Sequence, residues 1–319
     1  EALTNIVWAP LEKGLDSISL SANWMWPCNN PGEDARLYEA VEACSKFAID
    51  LGINIPTGKD SLSMKQKYSD KQVKAPGTVI ISAAGECSNI KKVITPVVKF
   101  SKGDLYYIDF TLDKFHLGGS SFAQTLGCIG NKTSSIKNAK YFKKAFNTTQ
   151  ELIKSNSITS GHDIGSGGLI TSLLELCFPS TNIGLEINLD ELNEEDTVRI
   201  LFSEKIAIIV QSKEDLTSIY KKEDIACIKI GSVTSSSKIT IKNRDYYDEF
   251  SITSLRKKWL NTSYLLDKKQ TLPKLAKKRY KNIDRQPLSF VFPQNFSGKL
   301  PALPKNKIKA AVIREKGSN

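Results

Sequence analysis

The run Gly161-His162-Asp163-Ile164-Gly165-Ser166-Gly167-Gly168 sets an acid just before a glycine–serine turn that leads into an apolar helical pattern. Glycines let backbone N–H groups approach an anion, a helix start adds partial positive charge, and an adjacent carboxylate can hold a divalent cation. The same residues also suit a helix cap after a tight turn, so other segments must decide. Glu1 and Asn5 stand four apart, which puts both oxygen-bearing side chains on one face of a helical pattern. That face is either an exposed polar surface or a donor set that shares a hard cation with Asp163.

The stretch GINIPTGKDS resembles a phosphate loop but fails its spacing. Five residues, not four, separate Gly52 from Gly58, and Asp60 stands where Ser or Thr is needed. What remains is a Gly58-Lys59-Asp60-Ser61 turn, where Lys59 can neutralise phosphate and Asp60 can accept from a donor, or the two can form a salt-bridged turn. The Gly118-Gly119-Ser120 turn is a second, weaker cradle. His116 and His162 have no nucleophile signature nearby and are read as structural; no residue is assigned a catalytic role.

A chain of 319 residues with 40% apolar content can bury a substantial core in about two domains. No apolar run reaches the roughly 18 residues of a membrane span, and the opening lacks a signal-peptide pattern, so the expected setting is cytoplasmic, away from membranes. The six cysteines are widely spaced with no C-x-x-C pair, so neither a zinc site nor a disulfide framework is suggested. The net charge of +11 is concentrated late: residues 256–285 hold eleven Lys or Arg against two acids. Without interleaved aromatics or a reading helix, this is a solvated basic connector and not a nucleic-acid surface.

The elements that must position these residues form two α/β units. In residues 1–100, a strand is expected near 17–23, an amphipathic helix at Glu33–Leu51 from apolar spacings of four and three, and strands near 61–68 and 78–84. In residues 101–243, a strand near 105–110 precedes a short helix, a helix over 139–155, the acid–glycine motif and a helix through Phe178. Strands near 184–189, 205–211 and 225–230 follow, with a helix near 215–220. Residues 244–306 read as a basic linker, with a short helix and then proline-punctuated chain. Residues 307–319 read as the first strand of another domain. The expectation is a chain cut at both ends, because Glu1 to Trp8 is helical with nothing before it.

Taken together, EALTN, LSANWM, PGEDA, IPTGKDSLSMK and the His162-Asp163 motif resemble, in order and approximate spacing, the large form of phosphoribosylformylglycinamidine synthase. The resemblance covers about 300 residues. It implies an α/β (α+β) fold like that of aminoimidazole ribonucleotide synthase, a two-domain unit truncated at its N-terminus. It also implies a ligase of purine synthesis that uses ATP and glutamine-derived ammonia to convert formylglycinamide ribonucleotide to the amidine. This chain resembles the second synthetase half, the linker, and the opening strand of the glutaminase domain, so the first half and the glutaminase domain are the implied partners.

By the same resemblance, Glu1, Asn5 and Asp163 match magnesium ligands of an auxiliary ATP/ADP site. Gly165, Ser166, Gly167, Lys59, Asp60 and Ser61 are the expected nucleotide contacts. Where relatives commonly read His-Asp-x-Ser-Asp-Gly-Gly, this chain has Gly165 and Ser166, so a contact at Gly165 can use only backbone. The alternatives are a freestanding homodimeric ATP-using enzyme of the same superfold and a non-catalytic scaffold half.

Overall fold

The computed structural model describes residues 1–180, 182–283, 285, 290–300, 309 and 311. The expected opening strand at 307–319 lies, apart from Lys309 and Ala311, outside them. Helix α1 (Ala2–Ile6) leads to β1 (Ile18–Met25), then α2 (Glu33–Leu51) and β2 (Asn54–Ser61). Acids at Glu33 and Asp34 favour the start of α2, and left-handed Gly52 ends it, its N–H reaching back to the helix carbonyls. A small hairpin of β3 (Lys65–Lys67) and β4 (Gln72–Lys74) precedes β5 (Thr78–Gly85). Strands β2, β1 and β5 form a three-stranded sheet in that order, with β1 parallel to β2 and antiparallel to β5. One face of this sheet is largely open: Ile80, Ser82 and Ala84 of β5 share that face and are exposed, and most of β2 is exposed.

The second unit runs β6 (Asp104–Asp109), α3 (Ser121–Thr125), α4 (Ala139–Lys154), β7 (Ile158–Asp163), α5 (Gly168–Cys177), β8 (Gly184–Asn188) and α6 (Thr197–Phe202). It continues with β9 (Ala207–Ser212), α7 (Leu216–Lys222), β10 (Cys227–Thr234), β11 (Lys238–Asn243) and β12 (Tyr246–Ser251). These strands form one seven-stranded sheet, ordered β12-β11-β8-β10-β6-β9-β7.

Strand alternation divides the core. On β6 and β9, Tyr106, Ile108, Ile208 and Val210 face α4, joining Phe142, Phe146 and the Leu3, Val7 and Leu11 side chains of the N-terminal segment. Their neighbours Leu105, Tyr107, Ala207 and Ile209 face α5, packing with Leu169, Leu173 and Leu176. The sheet is therefore buried on both sides, and α4 links it to the first unit.

The basic connector differs from its expected form. The sheet continues past residue 243, because β12 pairs antiparallel with β11 through a tight turn in which Arg244 adopts a φ of 53°. Then α8 (Ile252–Gln270) and α9 (Pro273–Lys281) form a helical hairpin. Pro273, read as a break, occupies the first turn of α9, where a missing N–H costs nothing. Asp267 pairs with Arg279 at 2.6 Å and Tyr264 stacks on Tyr280, so part of the basic charge decorates packed helices.

Candidate functional site

Strand β7 lies at one edge of the large sheet and carries Asp163 to its end, opposite Ile208 of β9. Ile164, buried, continues the pairing through its N–H to the Ala207 carbonyl at 2.9 Å. The chain then turns: the Gly168 N–H donates to the Gly165 carbonyl at 3.0 Å, with Gly167 at φ 89° and Gly168 at φ 74°. Glycine is required at 168, because a Cβ there would lie 2.6 Å from the Leu201 carbonyl oxygen.

Asp163 is 9% exposed. Its main-chain carbonyl accepts from Ser172 Oγ at 2.9 Å and from His162 Nδ1 at 2.6 Å. Its carboxylate accepts no hydrogen bond from the described residues; His162 Nδ1, 3.7 Å from Oδ1, is its ion-pair partner. His162 Nε2 lies 3.1 Å from Glu175 of α5. Burial pulls the imidazole down, but the Glu175 and Asp163 contacts outweigh it and raise His162 above its ordinary value. His162 thus ties β7 to α5 beside an under-coordinated acid.

Glu1 is brought to this turn. Its Oε1 lies 3.9 Å from the position a Cβ would take at Gly165. The approach has a structural cause: Trp8, just beyond α1, packs over Gly161 of β7, where a Cβ would come within 2.2 Å of the indole ring. Gln150 of α4, fully buried, holds the same segment; its amide donates to the Val7 and Ala9 carbonyls and accepts from the Leu11 N–H at 2.7 Å. Sequence reasoning missed Gln150, whose only signal is a polar residue on the apolar face of α4.

Asn5 stands one turn from Glu1 and donates through Nδ2 to the Glu1 carbonyl at 3.2 Å, which leaves Oδ1 as its free oxygen. It borders a cleft over β5 with Ile81, Ser82 and Ala83, whereas Glu1 borders an apolar cavity with Cys44, Phe47 and Phe142. Among the described residues, no three His, Cys, Asp or Glu side chains gather as a metal cluster. The acidic donors of the expected set therefore number two, Glu1 and Asp163, with an amide from Asn5.

The turn's own donors are divided. The N–H groups of Gly165 and Ser166 have no acceptor among the described residues, and Ser166 is exposed. The Gly167 N–H instead donates to Glu204 Oε1 at 2.9 Å, and the same oxygen accepts from the Ser121 N–H at 2.7 Å. Glu204, in the connector between α6 and β9, was not singled out in the sequence. The Gly118-Gly119-Ser120 turn is explained by packing: a Cβ at Gly118 would lie 2.2 Å from the Lys132 carbonyl oxygen, and Ser120 caps α3.

Lys59, Asp60 and Ser61 are not in a turn. They are the end of β2, paired in parallel with Asn23, Trp24 and Met25 of β1. The pairing is close enough that a Cβ at Gly58 would strike the Ala22 carbonyl oxygen at 2.1 Å, so the glycine serves strand approach, not a bend. No hydrogen bond or ion pair joins their side chains to the Asp163 turn among the described residues.

Residues 1–86 match the FGAR-AT PurM_N-like domain family, and residues 112–243 match the C-terminal domain of AIR synthase related proteins. Over the whole chain, the probable chloroplastic/mitochondrial phosphoribosylformylglycinamidine synthase of Arabidopsis thaliana is 37% identical, and the phosphoribosylformylglycinamidine synthase of Homo sapiens is 32% identical. Along its whole length the chain is similar to phosphoribosylformylglycinamidine synthases, and it carries an FGAR-AT PurM_N-like domain and an AIR synthase-related C-terminal domain. It spans 23% and 25% of the lengths of those two synthases, about a quarter.

Solved structures show the same fold at low identity. Thermotoga maritima PurL complexed with FGAR aligns with a TM-score of 0.57 at 14% identity, covering 80% of this chain and 41% of that one. The hydrogenase maturation protein HypE in complex with ATP aligns with a TM-score of 0.53 at 15% identity, covering 78% and 76%. Thermotoga PurL has also been solved with ATP and with ADP. The chain is thus a mixed α/β, aminoimidazole ribonucleotide synthase-like fold. Among its described residues, no helix is long and apolar enough to cross a membrane.

Proposed function

We propose that this chain is the second synthetase half of a phosphoribosylformylglycinamidine synthase and that it carries an auxiliary magnesium–nucleotide site at the Asp163 turn. The observation that carries the site is the meeting of Glu1 with a turn whose Gly165 and Ser166 N–H groups remain free. Free N–H groups ahead of α5 suit phosphate oxygens. The buried Asp163 carboxylate, short of hydrogen-bond donors, together with Glu1 and the Asn5 amide oxygen, fits a hard cation that completes its shell with phosphate and water. Bound there, magnesium would neutralise phosphate charge. The chain's own residues hold the turn: Gly167 and Gly168 set its path, and His162 fixes the direction of Asp163 through α5.

In this reading, residues 1–100 and 101–243 are the two domains of the half, the sheet of the second running on through β12 to Ser251. Residues 244–306 lead toward the glutaminase domain, which starts at 307–319. The complete protein performs the ATP- and glutamine-dependent amidation of formylglycinamide ribonucleotide, with ammonia delivered from the glutaminase domain. The open face of the three-stranded sheet, and Tyr38 and Ile49 exposed on α2, suit cover by the first synthetase half. Lys59, Asp60 and Ser61, on that open sheet, serve the nucleotide only once that cover is in place. The six cysteines are all free, which suits a reducing compartment such as the cytoplasm.

The test is calorimetric titration of the complete synthase with ADP and magnesium. Asp163→Ala should lower the affinity at least tenfold, since one ligand of a carboxylate-held cation is lost. Unchanged binding in that variant would remove the metal–nucleotide site.

A further inference from the structure

The connector between α6 and β9 is pinned on both sides of Glu204. Ser203 is buried with its Oγ 3.3 Å from Ser134 Oγ, and Lys205 is buried in an ion pair with Asp109 at 2.8 Å. Phe202 stacks on Phe122 of α3 at 4.5 Å, and the start of α5 packs on the Leu201 carbonyl through Gly168. Between these contacts, a single carboxylate oxygen of Glu204 accepts from the first residue of α3, Ser121, and from Gly167 at the cap of α5. Two turns that are far apart in sequence are thereby joined through one atom. A carboxylate that accepts backbone N–H groups at helix starts is held by charge-assisted bonds that a neutral acceptor makes more weakly.

We propose that Glu204 is a positioning residue for the nucleotide site, and this rests on the nucleotide reading of the Asp163 turn. By consuming the Gly167 N–H and tying it to Ser121, Glu204 fixes the turn in the form that leaves the Gly165 and Ser166 N–H groups free. The phosphate position is set by what is already occupied as much as by what is open.

Two variants of the complete synthase separate this from a merely structural role. Glu204→Gln keeps an amide oxygen that can accept both N–H groups, whereas Glu204→Ala removes the acceptor. Without nucleotide, hydrogen–deuterium exchange in Glu204→Ala should quicken in residues 118–122 and 164–168 together, with Glu204→Gln close to wild type. Titration with ADP and magnesium should show binding weakened about 10- to 100-fold in Glu204→Ala, with Glu204→Gln within about threefold of wild type.

Unchanged exchange in either segment, or affinity equal to or tighter than wild type in Glu204→Ala, overturns the proposal. If Glu204→Ala does not fold, loss of affinity in a normally melting Glu204→Gln overturns it as well. Wild-type ADP affinity in Asp163→Ala, with both segments still loosened by Glu204→Ala, would defeat the nucleotide reading while supporting the clamp between the turns.

Discussion

The Asp163 turn and the Lys59–Ser61 end of β2 carry similar chemistry on unlike scaffolds. The first leaves a sheet buried on both faces, and its backbone is dictated by neighbours: Trp8 over Gly161, Leu201 against Gly168, and Glu204 on Gly167. The second ends a strand of a three-stranded sheet with one open face, and its side chains make no hydrogen bond or ion pair among the described residues. Local geometry is therefore complete at one motif and absent at the other.

The comparison is broken most forcefully by removing what holds α1 against the large sheet. Gln150 satisfies two carbonyls and one N–H of the segment after α1 from a fully buried position. Gln150→Leu leaves all three without a partner, at about 1–3 kcal/mol each, so a loss of roughly 3–9 kcal/mol is expected. Urea denaturation of the complete synthase checks it. A loss below about 1 kcal/mol would mean that the segment, and Glu1 with it, is not anchored by α4.

How much was legible follows the same division. The helix Glu33–Leu51 was readable to the residue because its apolar spacing, acidic start and terminal glycine agree. Helix α4, expected over 139–155 and found at Ala139–Lys154, was readable from its apolar spacing without an acidic first turn or a terminal glycine. Strand β7 was not, since a strand buried on both faces shows no alternation and Gly161 reads as a turn until Trp8 is seen to require it. Glu204 was invisible because its partners are 37 and 83 residues away. Strand β12 was lost to polar composition, as an edge strand with mostly exposed side chains resembles a linker. The acid–glycine motif itself was plain, but its division of N–H groups between ligand and Glu204 needed three dimensions.

A smaller effect is expected in the loop between β6 and α3. Burial works against ionisation of Asp113. The N–H groups of Ser135 and Lys114 and the Lys137 ammonium at 3.2 Å outweigh it and bring the carboxyl down to about 2, from 3.8. Because the folded value is the lower one, this stability is fully present above 3.8 and is lost as pH falls toward 2. With Lys137 half-exposed, the contribution is at most about 1 kcal/mol. Asp113→Asn should flatten the acid limb of the melting-temperature profile below pH 4. An unaltered limb would show that these contacts do not favour the charged form.

The smallest effect is the most diagnostic of the open face. Lys59 and Asp60 are exposed on β2 and make no ion pair among the described residues. Substituting either with Ala should change the stability of this segment by no more than about 0.5 kcal/mol, as for ordinary surface positions. If the first synthetase half covers this strand as proposed, the same substitutions should cost more in the complete synthase. Equal and negligible effects in both settings would make the strand end a plain solvated surface, and the contrast with the Asp163 turn would then be one of function and not of missing cover.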